Sequence, residues 1–169
     1  MPINGLTQPD IIDIDDTLRL RKYDGNYMTA LPWYRNEVVY RNSEGITDPD
    51  KIPDAEYVKR MYDWFENNGK SEMYFIEVLK NDEFIPIGDA ALTDENLPIV
   101  IGVDDYRCVG IGKKVLKTLL ERAKKIGLKR IYDTKIFHYN KASQALYTSC
   151  GFKLTGEDER YKYYALDIE

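Results

Sequence analysis

Between Arg107 and Gly112 the chain reads Arg-Cys-Val-Gly-Ile-Gly, after the apolar run Leu97 to Val103 and directly before a helical pattern. These residue types describe a glycine-rich turn from a strand into a helix, which is a natural anion site. Glycine lets the backbone turn tightly and come close to a ligand, and the first N–H groups of a helix have no partner inside it. With the helix dipole behind them, they favour a phosphate. Two familiar phosphate motifs do not fit. A P-loop needs Gly where Arg107 stands and Ser or Thr where Lys114 stands, and a dinucleotide fingerprint needs Gly or Ala at Val115.

About thirty residues on, after the strand-like Arg130 to Phe137, comes Asn140-Lys-Ala-Ser-Gln-Ala-Leu-Tyr-Thr-Ser-Cys-Gly-Phe152. The first stretch resembles the Arg/Gln-x-x-Gly-x-Gly/Ala signature of the GNAT N-acetyltransferase superfamily. The second is similar to that family's Asn-x-x-Ala/Ser-x-x-Leu-Tyr-x-x-x-Gly-Phe segment, at the separation the family uses. The pair is far more specific than either half, since a lone turn with two glycines is as often structural. The resemblance holds from about Met73 to the C-terminus and is weaker over the first seventy residues.

That resemblance implies acetyl-CoA as cosubstrate, no metal, and direct attack of an amine on the thioester. Such chemistry needs a bound donor, an unprotonated amine, an oxyanion donor and a proton for the departing thiolate. By resemblance, the loop headed by Arg107 holds the pyrophosphate through the backbone of Cys108, Val109, Gly110, Ile111, Gly112 and Lys113. The backbone of Ile101, Gly102 and Val103 pairs with the pantetheine arm as an added strand would, and an N–H there meets the oxyanion. Asn140 caps its helix and, with Ser143, reaches the pantetheine region. Tyr147 matches the family tyrosine that protonates the leaving thiolate; the bland alternative is a tyrosine packed on a helix face. The family has no single base. Asp89, inside an otherwise apolar strand, and Glu95, at the entrance to the next one, are the two candidates. His138 has a suitable chemistry but reads better as a surface residue. Cys108 and Cys150 read as an ordinary thiol facing the phosphates and a core residue.

The elements that must position these groups follow from pattern. Residues 1–16 read as an arm or a strand with a polar edge, and Thr17 to Tyr23 as a half-buried strand. Asn26 to Asn42, too aromatic for a linker, reads as a broken helix. Asn42 to Pro53 is a loop, and Asp54 caps a helix with the apolar face Val58, Met61, Tyr62 and Phe65, stopped by Gly69. Met73 to Leu79 and Phe84 to Leu92 form a hairpin. Val115, Leu116, Leu119, Leu120, Ala123 and Ile126 repeat at helical spacing, and Phe152 to Thr155 pairs with Tyr161 to Ile168. The order is that of an α/β fold in one domain over 1–169. The resemblance makes it the GNAT fold, a mixed, mostly antiparallel sheet with a splayed central parallel strand pair, flanked by helices.

Composition narrows the rest. The chain has 169 residues, a net charge of −5, two cysteines and one histidine, so disulfide frameworks and histidine-based metal sites or triads are nearly excluded. No apolar run reaches membrane-span length and the first residues show no signal-peptide pattern, so a cytoplasmic protein is expected. Residues 107–130 hold nine basic residues and one acid. This patch adjoins the phosphate loop, while the acidic remainder argues against nucleic acid as partner. Acid excess together with 14 tyrosines and Trp33 points to a small cationic amine as acceptor, such as a polyamine, an aminoglycoside or a basic amino acid. A peptide N-terminus or protein lysine is the alternative and calls for an open groove rather than a pocket closed by Leu31 to Tyr40. A non-catalytic coenzyme-binding sensor and an inert α/β domain are the remaining rivals, and a homodimer is a candidate assembly because it is common in the family.

Overall fold

A computed structural model describes residues 3–169. The first two residues of the expected N-terminal arm lie outside the described residues. Strands β1 (Ile11–Asp15), β2 (Leu18–Lys22), β3 (Ser71–Lys80), β4 (Glu83–Thr93) and β5 (Ile99–Ile101) form one antiparallel sheet in sequence order. The broken helix is a 3₁₀ turn at Tyr27–Ala30, then α1 (Leu31–Tyr34) and α2 (Glu37–Glu44), followed by α3 (Ala55–Asn67). After β5 come α4 (Ile111–Lys125), β6 (Arg130–Phe137), α5 (Lys141–Ser149), β7 (Lys153–Glu157) and β8 (Tyr161–Asp167). The last three strands form a second antiparallel sheet, in the order β6-β8-β7.

The period-two alternation of β3 explains the layering. Tyr74 and Ile76 face a core shared with Leu20, Ile87, Leu116, Leu119 and Ile131, under α4. Met73 and Phe75 face the opposite core, built with Trp33, Tyr34, Val58 and Tyr62 from α1 and α3. With both faces covered, Ser71 to Val78 is buried throughout. Helix α3 starts where the Asp54 carboxylate accepts the Tyr57 N–H at 2.8 Å. Helix α4 is pinned to β3 by Arg122, whose guanidinium reaches the fully buried Glu72 at 2.6 and 3.0 Å. A charge-assisted fork of this kind fixes orientation as well as distance.

The expected single mixed sheet is not formed: every ladder among the described residues is antiparallel, in two separate sheets. The two meet at the carbonyl of Glu95, which accepts the N–H groups of Tyr132 and Asp133 at 3.0 and 3.2 Å. The segment expected as a strand from Leu97 to Val103 is regular only over Ile99–Ile101, because one edge lacks a partner strand.

Candidate active site

The seam between the two sheets opens into two adjoining cavities. One is a cleft of about 350 Å³ between the end of α2, β5, the 107–113 loop and the start of α5. Cys108 and Gly110 hold positive φ of 59° and 90°, so the loop carries its backbone through the left-handed region just before α4. Gly110 caps α4 without any side-chain hydrogen bond, and a Cβ there would project into open space. The first N–H groups of α4 therefore remain available at the cleft. The Arg107 side chain turns inward: Nε donates to the Ile101 carbonyl at 2.9 Å and Nη1 pairs with Asp104, while Nη2 is buried with no partner among the described residues. That orphaned donor, on a residue of the cleft wall, fits an anionic or carbonyl-bearing ligand.

Register decides which backbone groups of β5 face the seam. Ala91 donates to Pro98, and Gly102 donates to the Ile87 carbonyl at 2.7 Å. Residues 98, 100 and 102 are thus turned toward β4, and Ile99 and Ile101 turn their polar groups outward. Within the expected pairing segment Ile101 to Val103, Ile101 thus faces outward and Gly102 faces β4. The Gly102 N–H is already used, the Ile101 carbonyl is held by Arg107 and the Val103 carbonyl by the Tyr106 N–H, so the open edge is centred on Ile99 and Ile101. Gly102 has a packing reason instead: a Cβ there would fall 2.1 Å from Trp33 Cγ, so only glycine lets α1 lie on the strand.

The second cavity, about 440 Å³, lies deeper, against β4, β6 and the helices of the N-terminal half. Asp89 is 4% exposed on its wall and accepts the hydroxyls of Tyr34, at 2.9 and 3.2 Å, and of Tyr62. Burial pushes its carboxyl up to about 7, against the pull of the two hydroxyl bonds and helped by the charge of Glu44. Glu44, at the end of α2, lines the same space, accepts the Tyr57 hydroxyl and is likewise raised by burial. Thr134 Oγ1 on β6 is buried there with no partner.

Tyr147 lies on the same wall, buried by α5 against Phe152, with its hydroxyl donating to the Leu97 carbonyl. Burial raises its pKa, keeping the phenol protonated. Asn140 and Ser143 line both cavities, and Asn140 caps α5 by accepting the Ser143 N–H at 3.2 Å. Of the loop residues, Arg107, Cys108, Gly110, Gly112 and Lys113 line the cleft, while the side chain of Val109 is exposed. Glu95 is not brought to the site: its side chain is exposed and lines neither cavity, and only its carbonyl serves, at the sheet junction. His138 is tied to the Asp158 carbonyl at 2.6 Å, outside both cavities.

Tyr34, Glu44, Tyr57 and Thr134 were not singled out from the sequence. Tyr62 was read only as one residue of an apolar helix face. Their signal is tertiary, except that a tyrosine-rich broken helix marks a wall. Among the described residues no group of three or more His, Cys, Asp or Glu side chains is arranged to hold a metal, and no helix is long and apolar enough to cross a membrane.

The family model described as "Acetyltransferase (GNAT) family" matches residues 39–152. No curated protein sequence matches the chain. Among solved structures, a domain from Methanocaldococcus jannaschii superposes with a TM-score of 0.76 at 22% identity, over 90% of this chain and 100% of that one. A ribosomal L7/L12 alpha-N-protein acetyltransferase in complex with coenzyme A gives 0.72 at 18%, over 94% and 98%. A spermidine N-acetyltransferase from Vibrio cholerae, in complex with coenzyme A and spermine, gives 0.70 at 15%, over 91% and 97%.

Proposed function

The chain belongs to the GNAT acetyltransferase family, and on that premise we propose that it transfers an acetyl group from acetyl-CoA to a small cationic amine. One observation carries this reading. The two cavities share Asn42, Ser43, Ile99, Val100, Asn140 and Ser143, so the cleft at the open N-terminus of α4 adjoins a chamber lined by a buried carboxylate and a buried phenol.

The donor supplies an activated thioester. The backbone of 108–113 and the start of α4 hold its pyrophosphate, and Lys113 adds charge at the rim. The outward N–H and C=O groups of Ile99 pair with an amide of the pantetheine arm, in the wedge where β5 and β6 splay apart. Asp89 takes a proton from the incoming ammonium, and an apparent pKa of about 7 suits that task near neutrality. The freed lone pair attacks the thioester carbon, forming the C–N bond, and the N–H of Ile101 steadies the oxyanion. The C–S bond then breaks as the Tyr147 hydroxyl leaves the Leu97 carbonyl and protonates the thiolate. The second proton of the attacking nitrogen passes through solvent to the resulting phenolate, leaving a neutral amide and a neutral phenol. The buried Asp89 carboxylate, the half-buried Glu44 and the tyrosine faces around the deeper cavity favour a cation.

A panel of amines and short peptides incubated with acetyl-CoA, followed by thiol release and product mass, tests this directly. Cationic small amines are the expected products. Acetylation confined to neutral or acidic amines removes the charge argument, and preferred acetylation of peptide N-termini makes the acceptor a protein. Coenzyme binding with no product at all leaves a sensor module.

A further inference from the structure

The deeper cavity contains more negative charge than a single amine needs. Asp89 and Glu44 both line it, and each has only tyrosine hydroxyls as hydrogen-bond donors: Tyr34 and Tyr62 for Asp89, Tyr57 for Glu44. Neither carboxylate forms an ion pair among the described residues. The nearby basic groups are otherwise engaged. Arg41 pairs with Glu37 and Arg60 with Glu56, while Lys135, the one basic residue of the wall, is exposed with Nζ 5.6 Å from the Tyr161 ring centroid. Burying Asp89 and half-burying Glu44 without a cation is costly, and desolvation raises the pKa of both groups. A second, independent feature marks the same space: Thr134, only 5% exposed, leaves Oγ1 on this wall without a partner.

We propose that Glu44, with the last turn of α2, forms a second ammonium site beside Asp89, so that the acceptor is a diamine held by both of its nitrogens. The inference rests on the acetyltransferase reading and adds the substrate class. Asp89 deprotonates the nitrogen that attacks. Glu44 keeps the other nitrogen charged, in a place where the C-terminal end of the helix dipole also favours a cation. Thr134 Oγ1 accepts one ammonium proton. Leu97, Ile99, Val100, Ile136 and Phe137 line the same cavity and give its wall an apolar part that suits a methylene chain. A monoamine fills the chain site and leaves Glu44 unpaired. A diamine satisfies both carboxylates.

Calorimetry with diaminobutane and butylamine, on protein saturated with coenzyme A, separates the two. The expected result is about tenfold tighter binding of the diamine, the equivalent of one modest ion pair, and near-equal binding of the two amines in Glu44→Gln. The Gln side chain keeps the shape and can still accept from Tyr57. If circular dichroism finds Glu44→Gln unfolded, Glu44→Asp replaces it and is expected to shrink the preference by withdrawing the carboxylate one methylene. Equal affinities in the wild type, or a full preference surviving in the folded variant, overturn the proposal. Turnover is read separately with acetyl-CoA. A diamine preference in binding with no acetylated product overturns the acetyltransferase reading and leaves the diamine site standing.

Discussion

The cleft proposed for the donor and the chamber proposed for the acceptor meet at the same seam but are built from different material. The cleft is made of backbone: a loop turned by Cys108 and Gly110 at positive φ, the uncapped start of α4, and the outward edge of β5. Its side chains mostly hold that backbone in place, as Arg107 does by donating to Ile101. The chamber is made of side chains from six elements, with Tyr34, Glu44, Tyr62, Asp89, Thr134 and Tyr147 converging from α1, α2, α3, β4, β6 and α5. A backbone-built site reads chemistry common to every coenzyme molecule, whereas a side-chain-built site is free to change with the acceptor. The division predicts that coenzyme affinity and chemistry can be damaged separately.

The largest effect is expected at the chamber. Tyr147→Phe removes one hydroxyl, and turnover is expected to fall by about 10²–10⁴-fold, the range for losing a positioned acid, while calorimetric coenzyme affinity stays within about twofold of the wild type. Full turnover reduces Tyr147 to packing, and a large loss of coenzyme binding breaks the division itself. Asp89→Asn is expected to cost turnover in the same range. The wild-type kcat/KM should rise with pH through about 7 and then level off, as the buried carboxyl ionises.

That same carboxyl has a signature in stability. Its folded pKa lies above the unfolded value, so the stability it contributes is fully present below about 4 and is lost as pH rises through about 7. The Asp89→Asn chain escapes this loss. The difference in Tm between variant and wild type should therefore move in the variant's favour between pH 5 and pH 8, by an amount set by roughly a few kcal/mol. A constant difference across that range rules out the buried, raised carboxyl.

At the cleft the expected effects are smaller and of the other kind. Gly110→Val forces a β-branched residue into a left-handed position, at about 1–2 kcal/mol, so coenzyme affinity should weaken about tenfold with kcat at saturation nearly intact. Unchanged affinity removes the loop from the coenzyme site. Tyr34→Phe sharpens the boundary within the chamber: losing one donor to Asp89 shifts the acidic limb of the pH profile upward. The smallest change is expected from Cys108→Ser, under about twofold in either coenzyme affinity or turnover, because the residue contributes its backbone. A larger change gives the thiol a role the geometry does not.

Much of this molecule was legible in one dimension. The loop, the α4 stripe of Val115, Leu116, Leu119 and Ala123, the capped starts of α3 and α5, the β3–β4 hairpin and the broken helix all recur in the structure. Each rests on interactions within a few residues, and their type and spacing are written in the chain. The sequence also determined the turn that leads from β5 into α4, since glycine at a strand-to-helix turn is a local requirement. Tertiary structure decided the remainder. It buried Asp89 between two tyrosines and left the Glu95 side chain in solvent. It turned the polar groups of Ile99 and Ile101 outward and the Gly102 N–H toward β4, because ladder register is set by the partner strand rather than by the strand itself. It also divided the strands into two antiparallel sheets that meet at Glu95, and it gathered Glu44, Tyr57 and Thr134 around one chamber. Burial and convergence depend on contacts between residues far apart in sequence, so no local pattern could carry them.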